Sequence, residues 1–175
     1  MNNKITSARL KYKPEKIKYL FVAEAPPKED SDRFFYFENV LTADSLFLET
    51  MKVLYPKDYT VAKVVRLQKK KFLEKFKEDE FYLIDSTDQP MENNSQSYKK
   101  NKIKEALPSL KEKIKNLVNE KTKIILISKP VYDVCFTPLI NEGFNIVNTG
   151  MIDFPGSSGQ EKFKEKLQKL LINYQ

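Results

Sequence analysis

The sequence of 175 residues has no histidine, a single cysteine and only four glycines. Cys135 cannot form a disulfide within the chain or supply a cysteine-rich metal site, so we expect a reducing, cytoplasmic setting and no metal or other cofactor. No apolar run approaches the roughly 18 residues that span a bilayer, and residues 1–6 lack the apolar core of a signal peptide. These absences predict a protein with no membrane segment.

The residues that are present favour one globular domain over 1–175, with a monomer as the default state. Apolar residues make up 41% of the chain, and a chain of this length buries about two-thirds of its unfolded surface. The net charge of +7 permits association with a polyanion such as DNA. Many lysines, however, lie three or four residues from a glutamate on predicted helices, which is typical of a solvated helix face.

Four short apolar runs predict the buried strands of a sheet that is covered on both faces. They span 17–23, 80–85, 123–128 and 144–148. Helical patterns accompany them at 43–54 with Thr42 as the N-cap, 61–77, 98–119 with a break or kink near Pro108, 131–141 and 160–173. This alternation predicts an α/β fold, a three-layer α/β/α sandwich with a four-stranded parallel sheet.

Parallel sheets bind ligands beyond the carboxyl ends of their strands, so the loops after the four strands should rim one crevice. In the first loop Glu24 follows the strand directly, two prolines stiffen the chain, and Glu29 and Asp30 come a few residues later. Such carboxylates can orient a water, stabilise a sugar cation or bind Mg²⁺. A solvated acidic turn explains the cluster equally well.

Four consecutive aromatic residues follow at 34–37. We expect that a loop cannot direct all four side chains into one core, so that some pack beneath it and others offer a surface on which a base stacks. Hydrophobic anchoring of a long loop explains any one of them as well. After the second strand, Asp85 and Ser86 should reach the polar edge of a ligand, although a cap or turn role is slightly favoured for Asp85.

The loop after the fourth strand is the more specific signal. Gly150, Gly156 and Gly159 permit a positive φ or a close approach of backbone to a partner. Pro155 stiffens the loop, and polar contacts are offered by Ser157, Ser158 and Gln160. The amides at the start of the last predicted helix form a natural anion site. We therefore expect this loop to suit a phosphate or a base oxyanion, although it does not match a P-loop.

These segments resemble the motifs of the uracil-DNA glycosylase superfamily. The segment Ala23-Glu-Ala-Pro-Pro-Lys-Glu-Asp30 resembles a first motif that reads Gly-Glu-Ala-Pro-Gly-x-x-Glu-Asp, with both glycines changed and one spacer residue missing. Arg33-Phe-Phe35 is similar to a downstream Arg-Pro-Phe, Asp85 stands where the family has an asparagine, and Phe154-Pro-Gly156 stands where it has His-Pro-Ser. In order and spacing the resemblance spans most of the chain.

The resemblance implies a four-stranded parallel sheet, base flipping and water-mediated cleavage of an N-glycosidic bond in DNA. It implies catalytic roles for Glu24, Glu29 and Asp30, and contacts to the base from Phe35, Asp85 and Ser86. It further implies that the DNA or an anion meets the loop formed by Phe154, Pro155, Gly156, Ser157 and Ser158. The family's cysteine-bound iron–sulfur cluster is excluded because there is one cysteine.

Two departures from the family pattern change the expected chemistry. Phe154 cannot donate a hydrogen bond or carry charge, and loss of such a stabiliser costs on the order of 10²–10³ in rate; backbone amides at 156–158 are a partial substitute. An ionised Asp85 only accepts hydrogen bonds. It would therefore disfavour uracil O4 and favour an exocyclic amine, as on cytosine-like or adenine-like bases.

Three hypotheses follow. The first is a DNA glycosylase that acts on a base other than plain uracil, such as a modified cytosine. The second is a catalytically inactive module that binds DNA or a protein on the same fold. The third, a weaker one, is an enzyme for a small phosphorylated or nucleotide ligand. A Schiff-base lysine is a further option, but no lysine is singled out by its sequence surroundings.

Overall fold

A computed structural model describes residues 3–156 and 158–172. Its centre is a parallel sheet of three strands, β1 (Tyr19–Ala23), β2 (Phe81–Asp85) and β3 (Lys123–Leu126), in the order β2-β1-β3. All five residues of β1 are buried. Because successive side chains of a strand point to opposite faces, this burial means that both faces of the sheet are covered. The α/β class predicted from the sequence is confirmed.

The described part of the chain contains seven helices. These are α1 (Asn3–Lys11), α2 (Ser45–Leu54), α3 (Ala62–Leu67), α4 (Lys69–Glu78), α5 (Gln96–Lys115), α6 (Lys129–Asn141) and α7 (Gln160–Ile172). Helix α5 packs against α6, α2 packs against α7, and α4 and α6 contact β2 and β3 respectively. None of the described helices is both long and apolar enough to cross a bilayer.

The fourth predicted strand, 144–148, is not a strand in the structure. The chain beside β3 makes two isolated parallel bridges, from Ile146 to Ile124 and from Ile152 to Ile127. Between these bridges, the side-chain amide of Asn148 bonds both backbone groups of Leu126. A side chain thus occupies the place where backbone pairing would continue, and the ladder is interrupted.

Several helix boundaries also differ from the sequence prediction. The segment 61–77 forms two helices that meet at Gln68, and α2 begins after Asp44 rather than after Thr42. Helix α5 continues through Pro108, because burial of Leu110 and Ile114 against the core outweighs the lost hydrogen bond. Helix α1 was not predicted, since its sequence is largely polar, yet it positions one residue of the candidate site.

Candidate functional site

The carboxyl ends of β1 and β2 are joined by backbone hydrogen bonds that continue past the strands. The Ser86 N–H donates to the carbonyl of Ala23 over 2.8 Å, and the Thr87 N–H donates to the carbonyl of Glu24 over 3.3 Å. The Ser86 hydroxyl also donates to the Glu24 carbonyl. Ser86 is 1% exposed. Ser86 therefore joins the two loops through its backbone and its hydroxyl, and it does not line the crevice described next.

A crevice of about 530 Å³ lies at this edge of the sheet. That volume falls within the roughly 300–1,000 Å³ of typical small-ligand sites. Four of the residues predicted from the sequence line it together, namely Glu24, Phe35, Asp85 and Phe154. They come from two loops and one strand end, so the fold brings together residues that are distant in sequence.

The crevice contains an ion pair that involves Glu24. Its Oε2 lies 2.7 Å from Nζ of Lys99, and each of the two side chains is 16% exposed. Lys99 lies in the first turn of α5, where Ser95 caps the helix by accepting a hydrogen bond from the Tyr98 N–H. A capped helix therefore fixes the backbone that presents this ammonium to the carboxylate.

Asp85 forms a second ion pair, with Arg9 of α1. The carboxylate is buried, and its burial raises the pKa of Asp85, although the Arg9 charge opposes the shift. Arg9 also lies over the ring of Phe34, with 5.4 Å from its guanidinium carbon to the ring centroid. Asp85 lines the crevice, but it does so as a carboxylate bound to arginine, which was not foreseen.

The prediction that a loop cannot direct the four consecutive aromatic side chains of 34–37 into one core is wrong. All four are buried, with exposed fractions of 9% or less. A turn closed by the Phe37 N–H and the Phe34 carbonyl spreads the rings in different directions. Phe35 packs against Phe47 and Phe76, while the Tyr36 hydroxyl accepts from the N–H of Leu83 and donates to its carbonyl. Phe35 is therefore a wall of the crevice and part of the core at once.

A buried lysine lies behind this aromatic wall. Lys69 is fully buried, with Nζ 3.2 Å from the Phe34 carbonyl, 3.4 Å from Oδ2 of Asp44 and 4.4 Å from the centroid of the Phe47 ring. Arg66 shares the same carboxylate, since its Nε lies 2.8 Å from Oδ1 of Asp44. Burial lowers the pKa of Lys69 to about 8, against the opposing effect of Asp44. This cluster fixes the backbone of the wall.

Among the described residues of the loop after Ile152, Phe154 is the one that lines the crevice. Phe154 is 42% exposed there, whereas Pro155 is buried and Ser158 is exposed elsewhere. The Gly156 N–H donates to the Phe154 carbonyl, so that amide is occupied. Ser157 lies outside the described residues. Of the backbone amides that we expected to replace the family histidine, those of the described residues Gly156 and Ser158 do not line the crevice.

Gly159 accounts for part of this loop's shape. A Cβ atom built on Gly159 would lie 2.3 Å from the Phe154 carbonyl oxygen, closer than such atoms approach, whereas one on Gly150 would meet nothing within 4 Å. Neither glycine has a positive φ, which Gly143 has instead. The close approach at Gly159 is to the chain's own backbone, and an approach of this loop to a bound partner stays a prediction.

The other two predicted catalytic carboxylates do not face the crevice. Glu29 lines a neighbouring groove, bounded by residues 87–92 and α5, and Asp30 lines a hollow beside Arg33 and Leu41. Both residues are exposed. Across 3–156 and 158–172, no three cysteine or acidic side chains are grouped as a metal ion would need. The acidic residues that are close in sequence therefore lie at three different places, because Glu24 lines the crevice whereas Glu29 and Asp30 line two separate hollows.

Three basic residues at or behind the site were missed from the sequence. Arg9 was missed because α1 was not predicted, although Ile5, Ala8 and Tyr12 have helical spacing. Lys99 and Lys69 lie on predicted helices, but nothing in their sequence surroundings singled them out among the many lysines. The available signal was that Lys99 lies in the first turn of the helix after the second-strand loop, because that turn lies near the carboxyl edge of the sheet.

Comparisons with protein-family models, curated proteins and solved structures gave no match.

Proposed function

We propose that this protein binds a flipped DNA base in the crevice and hydrolyses its N-glycosidic bond, as a divergent member of the uracil-DNA glycosylase superfamily. The observation that carries the proposal is the convergence of Glu24, Phe35, Asp85 and Phe154 on one crevice of about 530 Å³. The resemblance to the family motifs implies site roles for the same four residues. The arrangement β2-β1-β3 with the bridged segment beside β3 supports the finer proposal of a four-stranded, three-layer relative.

The reaction adds water across the bond between C1′ of the sugar and the base nitrogen. Glu24 accepts a proton from water as its oxygen bonds to C1′, and the electron pair of the broken bond leaves with the base. Its Oε2 is held by the Lys99 ammonium at 2.7 Å, and a carboxylate has a second oxygen that can accept the proton. Its charge also stabilises the sugar cation that develops at C1′.

The preferred substrate in this proposal is a modified base rather than plain uracil. Asp85 carries a carboxylate where the resemblance implies an amide, and Arg9 binds that carboxylate. A carboxylate accepts a hydrogen bond from an exocyclic amine and cannot donate to a uracil carbonyl. Phe35 supplies the apolar wall against the base plane, and Phe154 at the open side covers it.

A catalytically inactive binding module is the second candidate. The observation in its favour is that Phe154, an apolar side chain, lies where a charged group would be needed. Such a module would retain DNA affinity that falls steeply with salt concentration and would release no base.

The test is incubation with duplexes that carry uracil, hypoxanthine or modified cytosines, followed by alkali, which cleaves the strand at abasic sites. Strand cleavage that depends on the modified base supports the proposal, with preference for bases that bear an exocyclic amine. Salt-dependent DNA binding without cleavage of any duplex would favour the binding module. If the protein neither binds nor cleaves any of these duplexes, both the glycosylase and the binding module are contradicted.

A further inference from the structure

Lys99 is a cation within the crevice for which the resemblance offers no counterpart. The crevice is also lined by Lys28 and Arg33, but both of these side chains are exposed. Arg9, Arg66 and Lys69 approach the site from behind and do not line it. Lys99 differs from both groups, because it lines the crevice while its side chain is only 16% exposed.

Cleavage of an N-glycosidic bond separates charge. The sugar becomes cation-like, and the base departs with the electron pair and becomes anionic. Glu24 and Lys99 present a negative and a positive group side by side, with 2.7 Å between Oε2 and Nζ. The pair is therefore complementary to the two halves of the transition state, and a partly buried position strengthens both interactions relative to water.

We propose that Lys99 is the catalytic residue that stabilises the departing base, in place of the charge-bearing side chain that Phe154 cannot supply. This inference rests on the proposed base-releasing function. An ammonium has three N–H donors and a single carboxylate oxygen uses one of them. Another donates to the base, first as a hydrogen bond and then as a proton. The proton that Glu24 takes from water returns to Lys99 across the 2.7 Å contact, so both groups are regenerated.

The proton balance makes the step testable through the leaving group. Electron-withdrawing substituents at C5 of a pyrimidine make the departing base a weaker base that needs less help. Loss of Lys99 should therefore slow release of a 5-methyl pyrimidine more than release of the 5-fluoro analogue. A lysine that only supported the fold would affect both substrates equally.

The experiment is single-turnover base release by the wild-type protein and by Lys99→Gln, Lys99→Arg and Lys102→Gln on duplexes with a graded series of 5-substituted pyrimidines. Lys102 is the matched control, because it lies on the same helix and pairs with Glu105 at the exposed surface. We expect Lys99→Gln to lose about 10²–10³-fold in rate on the poorest leaving group, with a smaller loss on the best. Lys99→Arg keeps a cation beside Glu24 and should retain part of the rate. This variant also keeps the test possible if Lys99→Gln fails to fold.

Three results would overturn the inference. A loss that is equal for all leaving groups, or absent, removes Lys99 from chemistry while base release by the wild type still supports the proposed function. A borohydride-trapped DNA adduct that Lys99→Gln abolishes would assign the lysine a covalent role instead. Failure of the wild-type protein to release any base would refute the proposed function and this inference with it.

Discussion

The side-chain amide of Asn148 forms two hydrogen bonds with the backbone of Leu126, accepting from its N–H over 2.9 Å and donating to its carbonyl over 3.1 Å. The same amide also donates to the Gly150 carbonyl over 3.0 Å. Leu126 lies on β3, next to the central strand, and is completely buried. The Asn148 side chain thus supplies the hydrogen-bond partners that a fourth strand would otherwise give to the backbone at this buried edge of the sheet.

Replacement of Asn148 by Asp tests this role. A carboxylate keeps the acceptor for the Leu126 N–H but places a second acceptor against its carbonyl. A buried group that is left unsatisfied costs about 1–3 kcal/mol, so we expect a loss of at least that size in the free energy of unfolding, measured by urea denaturation. Asn145→Asp makes the same chemical change at an exposed residue and should have little effect. Equal losses for the two variants would contradict the assignment.

The case of Asn148 shows what sequence patterns can predict here. The three strands follow from apolar runs of strand length, and the crevice follows from parallel pairing, which aligns Ala23 with Asp85. Periodicity could not show that a polar side chain would replace a fourth strand. It also could not show which of many charged side chains would pair, because Arg9 meets Asp85 and Lys99 meets Glu24 only through tertiary structure.

Gly159→Ala should displace the loop that carries Phe154. The new Cβ would lie 2.3 Å from the Phe154 carbonyl oxygen, and a backbone atom cannot yield as the end of a side chain can. Gly150→Ala is the control, because its Cβ would meet nothing within 4 Å. We expect the first variant alone to alter NMR shifts of the crevice loops and to unfold at a lower temperature. Unchanged shifts in Gly159→Ala would show that the close approach is dispensable.

Tyr36→Phe should weaken the attachment of the aromatic segment to β2. The hydroxyl is the partner of both backbone groups of Leu83, at 2.7 Å and 3.1 Å, and Tyr36 is 1% exposed. Its removal leaves both groups without that partner, which costs about 1–3 kcal/mol. Tyr132→Phe also removes a hydroxyl bond, to the Thr149 carbonyl, but at an exposed position where water can replace it. Chemical denaturation should separate the two variants by about 1 kcal/mol or more, the lower end of that range.

Lys69 predicts a specific pH dependence of stability. Its pKa is lowered to about 8 in the folded protein, compared with about 10.4 for an unperturbed lysine. Between these values the unfolded chain binds more protons, so stability rises with pH. The slope approaches about 1.4 kcal/mol per pH unit, and below pH 8 this contribution is constant because both states are protonated.

The wild-type protein and Lys69→Met should therefore be compared from pH 6 to 10, since Asp44 keeps Arg66 as a partner in the variant and other titrating groups cancel in the difference. The difference in unfolding free energy should be flat to about pH 8 and then increase in favour of the wild type. A difference that does not vary with pH would mean that burial does not disfavour the protonated form of Lys69.

Glu24→Gln is the prediction on which the enzymatic proposal depends most directly. Glutamine is nearly isosteric and still accepts a hydrogen bond from Lys99, but it cannot take a proton from water or balance a sugar cation. We expect base release to fall by about 10²–10⁴-fold while binding to an uncleavable duplex persists, as judged by fluorescence anisotropy. Glu29→Gln changes the same group outside the crevice and should leave base release unchanged. If instead Glu29→Gln abolishes release and Glu24→Gln does not, the water-activating carboxylate lies in the neighbouring groove. The crevice that gathers Glu24, Phe35, Asp85 and Phe154 is then not the centre of catalysis.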